Sequence, residues 1–320
     1  WNAAYWTGSS SSGSGAATAA GLCFASLGSD TGGSIRFPST MNGLTGLKPT
    51  WGRVSRAGVF ALAESLDHVG PMTRSALDAA IVLGVIAGAD PDDPTAVGVP
   101  VGDYAAATGA GVRGRRIGVP KNLHGIDDDA RRSLESAVAA MTRAGAAIVD
   151  VTLPSSFDAA ALDWVPLCAA EAAVAHRATY PARAAEYGPV LAGLLDTGLR
   201  LRATELVDMQ LRRSVLTGQL NALLASVDLL LMPVMGVAAW SLEAMQAAGR
   251  DPEAVAARLR YTAPFDMSGH PTLTLPGGMT RDGVPTGFQI VGGVFDEAGL
   301  LAAGHAYQQS TDWHLKRPSL

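Results

Sequence analysis

Two glycine- and serine-rich turns set the terms for this chain. They are Gly8-Ser9-Ser10-Ser11-Ser12-Gly13-Ser14-Gly15 and Gly28-Ser29-Asp30-Thr31-Gly32-Gly33-Ser34-Ile35-Arg36, separated by residues 16–27, a run of small and apolar side chains. Glycine frees the backbone for dihedrals that other residues avoid, and the serines place hydroxyls on it. Taken alone, such runs read equally well as flexible linkers. The spacer argues otherwise, because small apolar residues suit close packing in an interior and a linker has no use for them. The two turns therefore predict a serine-based active site on a packed scaffold.

The chain has 320 residues, enough to bury a core without disulfides or a structural metal. Hydrophobic residues make up 48% and charged residues 17%, which points to a globular protein and away from a disordered one. A net charge of −5 gives no basic footprint for nucleic acid. The apolar runs at 79–89 and 229–240 are shorter than the roughly 20 residues that a membrane span needs. Cys23 and Cys168 read as buried free thiols in a reducing compartment, hence a cytoplasmic location. Lys48, Lys121 and Lys316 are the only lysines against many arginines and alanines, a composition that suggests a bacterial source.

Along the chain, the spacing predicts short strands at 54–60 and 66–71, then a helix capped by Thr73 with Ala76, Ala79, Ala80, Leu83 and Ile86 on one face. Strand 115–120, amphipathic helix 128–144 and strand 145–153 form a βαβ unit, so a parallel or mixed sheet is expected. Residues 156–226 read as helical with breaks at Pro181 and Gly188. The apolar run 228–233 reads as a buried strand. A helix at 241–258, strands at 271–276 and 286–291 joined by an Asp282-Gly283 turn, and a final helix at 297–309 complete the pattern.

A serine hydroxyl is a weak nucleophile unless a base lies within hydrogen-bond reach. None of the six histidines falls in the Gly/Ser region, no G-x-S-x-G elbow surrounds Ser10, Ser14 or Ser34, and no S-x-x-K pair is present. Phosphate-loop and dinucleotide spacings are missing, and no His/Cys spacing suggests a metal, so no cofactor is expected. Asp67 and His68 form a candidate dyad or a structural pair at a strand end. His270 faces substrate or packs, and Cys23 reads as core. Methionines and aromatics between Trp164 and Met209 read as core or pocket wall.

The residues from Gly8 to Arg36, with Gly46-Leu47-Lys48-Pro49-Thr50, Ser65-Leu66-Asp67-His68-Val69-Gly70-Pro71-Met72, the blocks at 265–278 and 283–292, and Asp312-Trp313-His314, closely resemble the amidase signature family of Ser-cisSer-Lys amide hydrolases. The resemblance covers about 1–88 and 228–318, and is loose over 98–225. It implies an α/β fold with a mixed β-sheet core covered by helices on both faces, in one domain that is incomplete at its N-terminus.

It further implies that Ser34 is the nucleophile and that Ser10, following a cis Ser9–Ser10 peptide, relays its proton to a lysine. Such a peptide costs about 3 kcal/mol without proline and persists only where its surroundings enforce it. The amides of Thr31, Gly32, Gly33 and Ser34 would form the oxyanion hole. Ser11 would serve as a secondary hydroxyl, and Asp30 and Arg36 as buried, paired supports. Ser9 and Ser12 stand where the family usually has glycine. The family's lysine lies upstream of the first serine motif, and Lys48 matches a structural block, so the base is expected from an N-terminal segment outside these residues.

The expected activity is hydrolysis of a small-molecule carboxamide to acid and ammonia or amine, with 156–226 selecting the substrate. The alternatives are a non-catalytic fragment or subunit lacking its base, and the amidotransferase subunit that supplies ammonia to an acyl-tRNA. A homodimer is left open, and neither a nucleic-acid nor a membrane partner is expected.

Overall fold

The computed structural model describes residues 1–248 and 251–319. Its centre is one eight-stranded mixed sheet built from β1 (Ser26–Asp30), β2 (Thr45–Lys48), β3 (His68–Thr73), β4 (Arg116–Pro120), β5 (Ala147–Val151), β6 (Leu229–Pro233), β7 (Thr272–Met279) and β8 (Pro285–Gly292). The order across the sheet is β1-β3-β2-β7-β8-β6-β4-β5. β4 pairs in parallel with β5, which is the βαβ unit foreseen from the sequence, and also in parallel with β6, while every other pairing is antiparallel.

Strand β6 shows how the two faces are filled. Successive strand residues point to opposite sides, and Leu229 and Leu231 join one core cluster while Leu230 and Met232 join another. The first cluster is covered by the helices Ala76–Ile86, Asp128–Arg143 and Glu297–Gln309. The second is covered by Phe157–Ala175 and Ala203–Ser226. A strand buried on both faces reads as a continuous apolar run, and all five residues of β6 are buried. No helix among the described residues is long and apolar enough to cross a membrane.

Several local expectations are corrected. Residues 54–60 form no strand: Val54 makes one isolated bridge to Ala87, and Gly52 and Gly58, both at positive φ, turn the chain on either side. The helix Ala76–Ile86 is capped by Ser75, whose side chain accepts from the Asp78 N–H, rather than by Thr73. The 241–258 region holds two helices, Leu242–Ala248 and Pro252–Leu259, the second with proline in its first turn; the residues between, 249–250, lie outside the described ones.

The spacer also departs from an interior run. Its helix, Ser12–Ala19, buries Gly15, Thr18 and Ala19, and then Gly21 at φ 76 turns the chain outward. Phe24 is therefore 87% exposed and Leu22 is exposed beside it. Cys23, in the same connection, is half-buried, whereas Cys168 is buried; both thiols are free.

Candidate active site

The site is a turn at the end of β1. Asp30 is the last residue of that strand, and residues 31–35 curl back into the short helix Arg36–Asn42. Asp30 makes the curl possible by collecting its amides: Oδ1 accepts from the Gly33 N–H at 2.5 Å, and Oδ2 accepts from Ile35 N–H at 3.0 Å and Arg36 N–H at 3.2 Å. Gly33 sits at φ 138, a conformation that side-chain-bearing residues rarely adopt.

The Asp30 charge is met by Arg36, whose Nε and Nη2 approach it at 3.0 and 2.9 Å, with both side chains fully buried. This is the paired support expected from the sequence. Burial by itself raises the Asp30 carboxyl, but the charge and hydrogen bonds of Arg36 outweigh it and hold the group well below the usual carboxylate range. Arg36 is anchored in turn by the Thr262 carbonyl at 2.9 Å and by the Asp266 carboxylate, both distant in sequence. Burial pushes Asp266 well above the ordinary range, an effect that Arg36 only partly offsets.

Ser34 occupies the crest of this turn. It is 9% exposed, and its hydroxyl has no hydrogen-bond partner among the described residues. The four amides proposed for the oxyanion differ from one another. The Gly33 N–H is committed to Asp30, so it is not available to a ligand, while the Gly32 and Ser34 amides have no partner among the described residues. Thr31 contributes differently again: its hydroxyl donates to Asp67 Oδ1 at 2.5 Å.

Ser11 is buried and brackets Ser29, donating to its carbonyl and accepting from its N–H, each at 3.1 Å. That bracket ties the first serine turn to β1. Ser10 lies exposed at the mouth of a cavity of about 260 Å³, whose wall also includes Ser29, Thr31 and Asp67. No hydrogen bond joins Ser10 to Ser34 among the described residues. The Ser9–Ser10 peptide is trans, and the one cis bond among the described residues is Tyr180–Pro181. The expected cis geometry is therefore corrected to trans, at an exposed Ser10 that makes no hydrogen bond among the described residues.

Asp67 and His68 do not form a dyad. Asp67 faces the cavity and also accepts from Leu62 N–H at 2.8 Å and Ala63 N–H at 3.1 Å, whereas His68 Nδ1 lies 2.7 Å from the Leu66 carbonyl inside the core. His270 is buried between Ser268 and Asn221 and plays a packing role. Among the described residues no group of His, Cys, Asp or Glu could hold a metal ion.

Three contributors came from segments that local sequence patterns do not connect to the turn. Trp164 donates from Nε1 to the Thr31 carbonyl at 2.6 Å and covers Gly32 so closely that a Cβ there would stand 2.6 Å from its ring. Thr262 donates to the Gly32 carbonyl at 2.6 Å, and Asp266 holds Arg36. Trp164 was legible as pocket wall, but its bond to the turn spans 133 residues and has no local signal.

A family model described as Amidase matches residues 1–301. A putative amidase, AmiD, of Mycobacterium tuberculosis is 50% identical over 319 residues, covering 99% of this chain and 67% of that protein. Among solved structures, 6-aminohexanoate cyclic dimer hydrolase superposes with a TM-score of 0.89 at 26% identity, over 100% of this chain and 71% of that one. A glutamyl-tRNA(Gln) amidotransferase subunit from Thermotoga maritima gives 0.85 at 30% identity, over 97% and 68%. The chain belongs to the amidase family. It is an amide hydrolase, acting on carbon–nitrogen bonds.

Proposed function

We propose that this amidase cleaves a neutral carboxamide through an acyl-enzyme on Ser34. The observation that carries the reading is the unpartnered Ser34 hydroxyl on a turn whose amides Asp30 fixes from below. Ser34 Oγ attacks the carbonyl carbon, and the carbonyl electron pair moves to oxygen, where the Gly32 and Ser34 amides and the neighbouring Thr31 face it. The serine proton passes through Ser10 to a lysine and returns to the nitrogen as the C–N bond breaks, releasing ammonia or an amine. Water then attacks the ester, giving the acid and restoring Ser34.

The lysine is assigned outside residues 1–320. Lys48 is buried, pushed down to about 7 by burial, and donates to the Pro49 carbonyl at 3.3 Å. Lys121 pairs with Asp150 at 2.9 Å, and Lys316 lies 4.2 Å over the Trp313 ring. None of the three hydrogen-bonds to Ser10 or Ser34. On this reading Ser10 reaches its relay position when that segment packs over the cavity, and the helices of 156–226 select the substrate. The free thiols fit the reducing cytoplasm of a bacterium.

Intact enzyme treated with a fluorophosphonate should carry the label on Ser34, and Ser34→Ala should lose nearly all turnover while its unfolding transition stays unchanged. Label on another serine, or near-normal turnover by the variant, refutes the assignment. Similarity to the amidotransferase component favours a second reading, a protein that works only in complex with partners. Turnover by the purified protein carrying its upstream segment, with no partner added, would decide against it.

A further inference from the structure

Phe60 belongs to two cavities at once. The first is the 260 Å³ cavity at Ser10 and Thr31, where Val59 and Leu62 line the wall beside it. The second, about 400 Å³, is walled by Phe60, His176, Tyr187 and Leu191, with Arg183 and Glu186 at the rim. Phe60 is 73% exposed, so the fold does not use this ring for its core. It stands at the junction of the two spaces.

The aromatic walls of the second cavity are held in place. The Tyr187 hydroxyl lies 2.5 Å from Thr179 Oγ1 and 3.0 Å from His176 Nδ1. The His176 ring lies 5.1 Å from Phe60 and 5.4 Å from Tyr187, centre to centre. Rings fixed in this way can pack against an incoming ring without losing rotamer freedom on binding. The segment bearing Phe60 is also fastened to the nucleophile turn, since Asp67 accepts from Thr31 on one side and from Leu62 and Ala63 on the other. Hydrogen bonds thereby hold the Phe60 segment to the turn that carries Ser34.

The charges lining the second cavity are already matched. Arg183 holds Glu186 through Nε at 2.7 Å and through Nη2. An ionic group on the ligand would find no unmatched counter-charge there, whereas an uncharged ring would find three aromatic edges or faces.

We infer that the second cavity is a substrate subsite for an uncharged aryl group, so that the preferred substrate is an elongated aryl-alkyl amide with its carboxamide at Ser34 and its ring beyond Phe60. This rests on the amide-hydrolysing reading of Ser34. Enzyme carrying its upstream segment is assayed with 4-phenylbutanamide, hexanamide and propanamide. The kcat/KM ratio of 4-phenylbutanamide to propanamide should fall about tenfold in Phe60→Ala and in Tyr187→Ala. The hexanamide-to-propanamide ratio should fall less. Ratios unchanged in both variants, or hexanamide losing as much as the aryl amide, overturn the inference.

A second measurement does not depend on turnover. In ligand-observed saturation-transfer NMR with Ser34→Ala protein, the phenyl protons of 4-phenylbutanamide should receive saturation, and adding Phe60→Ala should remove most of it. Equal transfer in the presence and absence of the Phe60 ring overturns the subsite. Turnover by Ser34→Ala, in contrast, refutes the catalytic reading and leaves this result to stand on its own.

Discussion

Trp164 donates its indole N–H to the carbonyl of Thr31 at 2.6 Å, joining the helix Phe157–Ala175 to the turn that carries Ser34. The same ring lies against Gly32. The helical region thus reaches the Ser34 turn directly, and the turn is clamped from two sides: by Asp30 through its amides, and by Trp164 through a carbonyl.

Trp164→Phe keeps an aromatic ring and removes the donor. A hydrogen bond contributes about 1 kcal/mol net, so the unfolding free energy should fall by about that amount and kcat by about tenfold as the turn loosens. Steady-state kinetics alongside urea unfolding test this, and loss of stability with unchanged kcat would show that Trp164 only packs.

Gly32→Ala should be destabilising by about 1–3 kcal/mol, because the added methyl stands 2.6 and 2.7 Å from two Trp164 ring atoms. Replacing the tryptophan by leucine makes room, so the double variant Gly32→Ala with Trp164→Leu should be more stable than the sum of the single effects predicts. Gly33→Ala should lose more and resist this rescue, since its strain lies in the backbone at φ 138 and its Cβ meets Phe37 instead. Thermal unfolding of the wild type, the three single variants and the two double variants with Trp164→Leu provides the comparison.

Asp30→Asn leaves Arg36 with one fewer buried counter-charge and should cost about 3–5 kcal/mol at neutral pH. The pH dependence has a definite sign. The folded-state pKa of Asp30 lies below its unfolded value of about 3.9, so its contribution is present above pH 4 and disappears as the pH falls below it. The gap between wild type and Asp30→Asn in urea unfolding should therefore narrow on acidification. A gap that stays constant down to pH 2.5 would place the effect elsewhere.

His270 supplies a second pH effect in a higher window. Burial, aided by the Lys48 charge, pushes it down to about 4. Between pH 6.5 and 4 the unfolded chain takes up a proton that the folded one does not, so stability falls with pH by up to about 3 kcal/mol. His270→Gln should flatten that part of the stability profile. An unchanged slope between pH 6.5 and 4 in chemical denaturation would count against it.

Residues close in sequence were the legible ones. Asp30 and Arg36 lie six apart on one turn, and the family resemblance implied the pairing that the structure contains. The βαβ unit and the final helix Glu297–Gln309 were equally plain, because periodicity and caps are local signals. The segment 54–60 misled because its apolar residues suggested a strand, whereas the glycines at 52 and 58 govern its path and leave Phe60 between two cavities. Leu22 and Phe24 misled for a related reason: composition says what could be buried, but only the position of neighbouring elements says what is.

By itself the sequence determined the chemistry on offer: serines on glycine turns, a family pattern that marks one of them and its acidic support, and the βαβ unit with the closing helix. These follow from backbone freedom, charge and spacing along a few residues. Tertiary structure alone decided which distant groups complete the site. It brought Trp164, Thr262 and Asp266 onto a turn 130 to 230 residues away, committed the Gly33 amide to Asp30, and left Ser10 at the cavity mouth with a trans peptide before it. The reason is that such contacts depend on how helices cross the sheet, a property of the packed whole that no short stretch encodes.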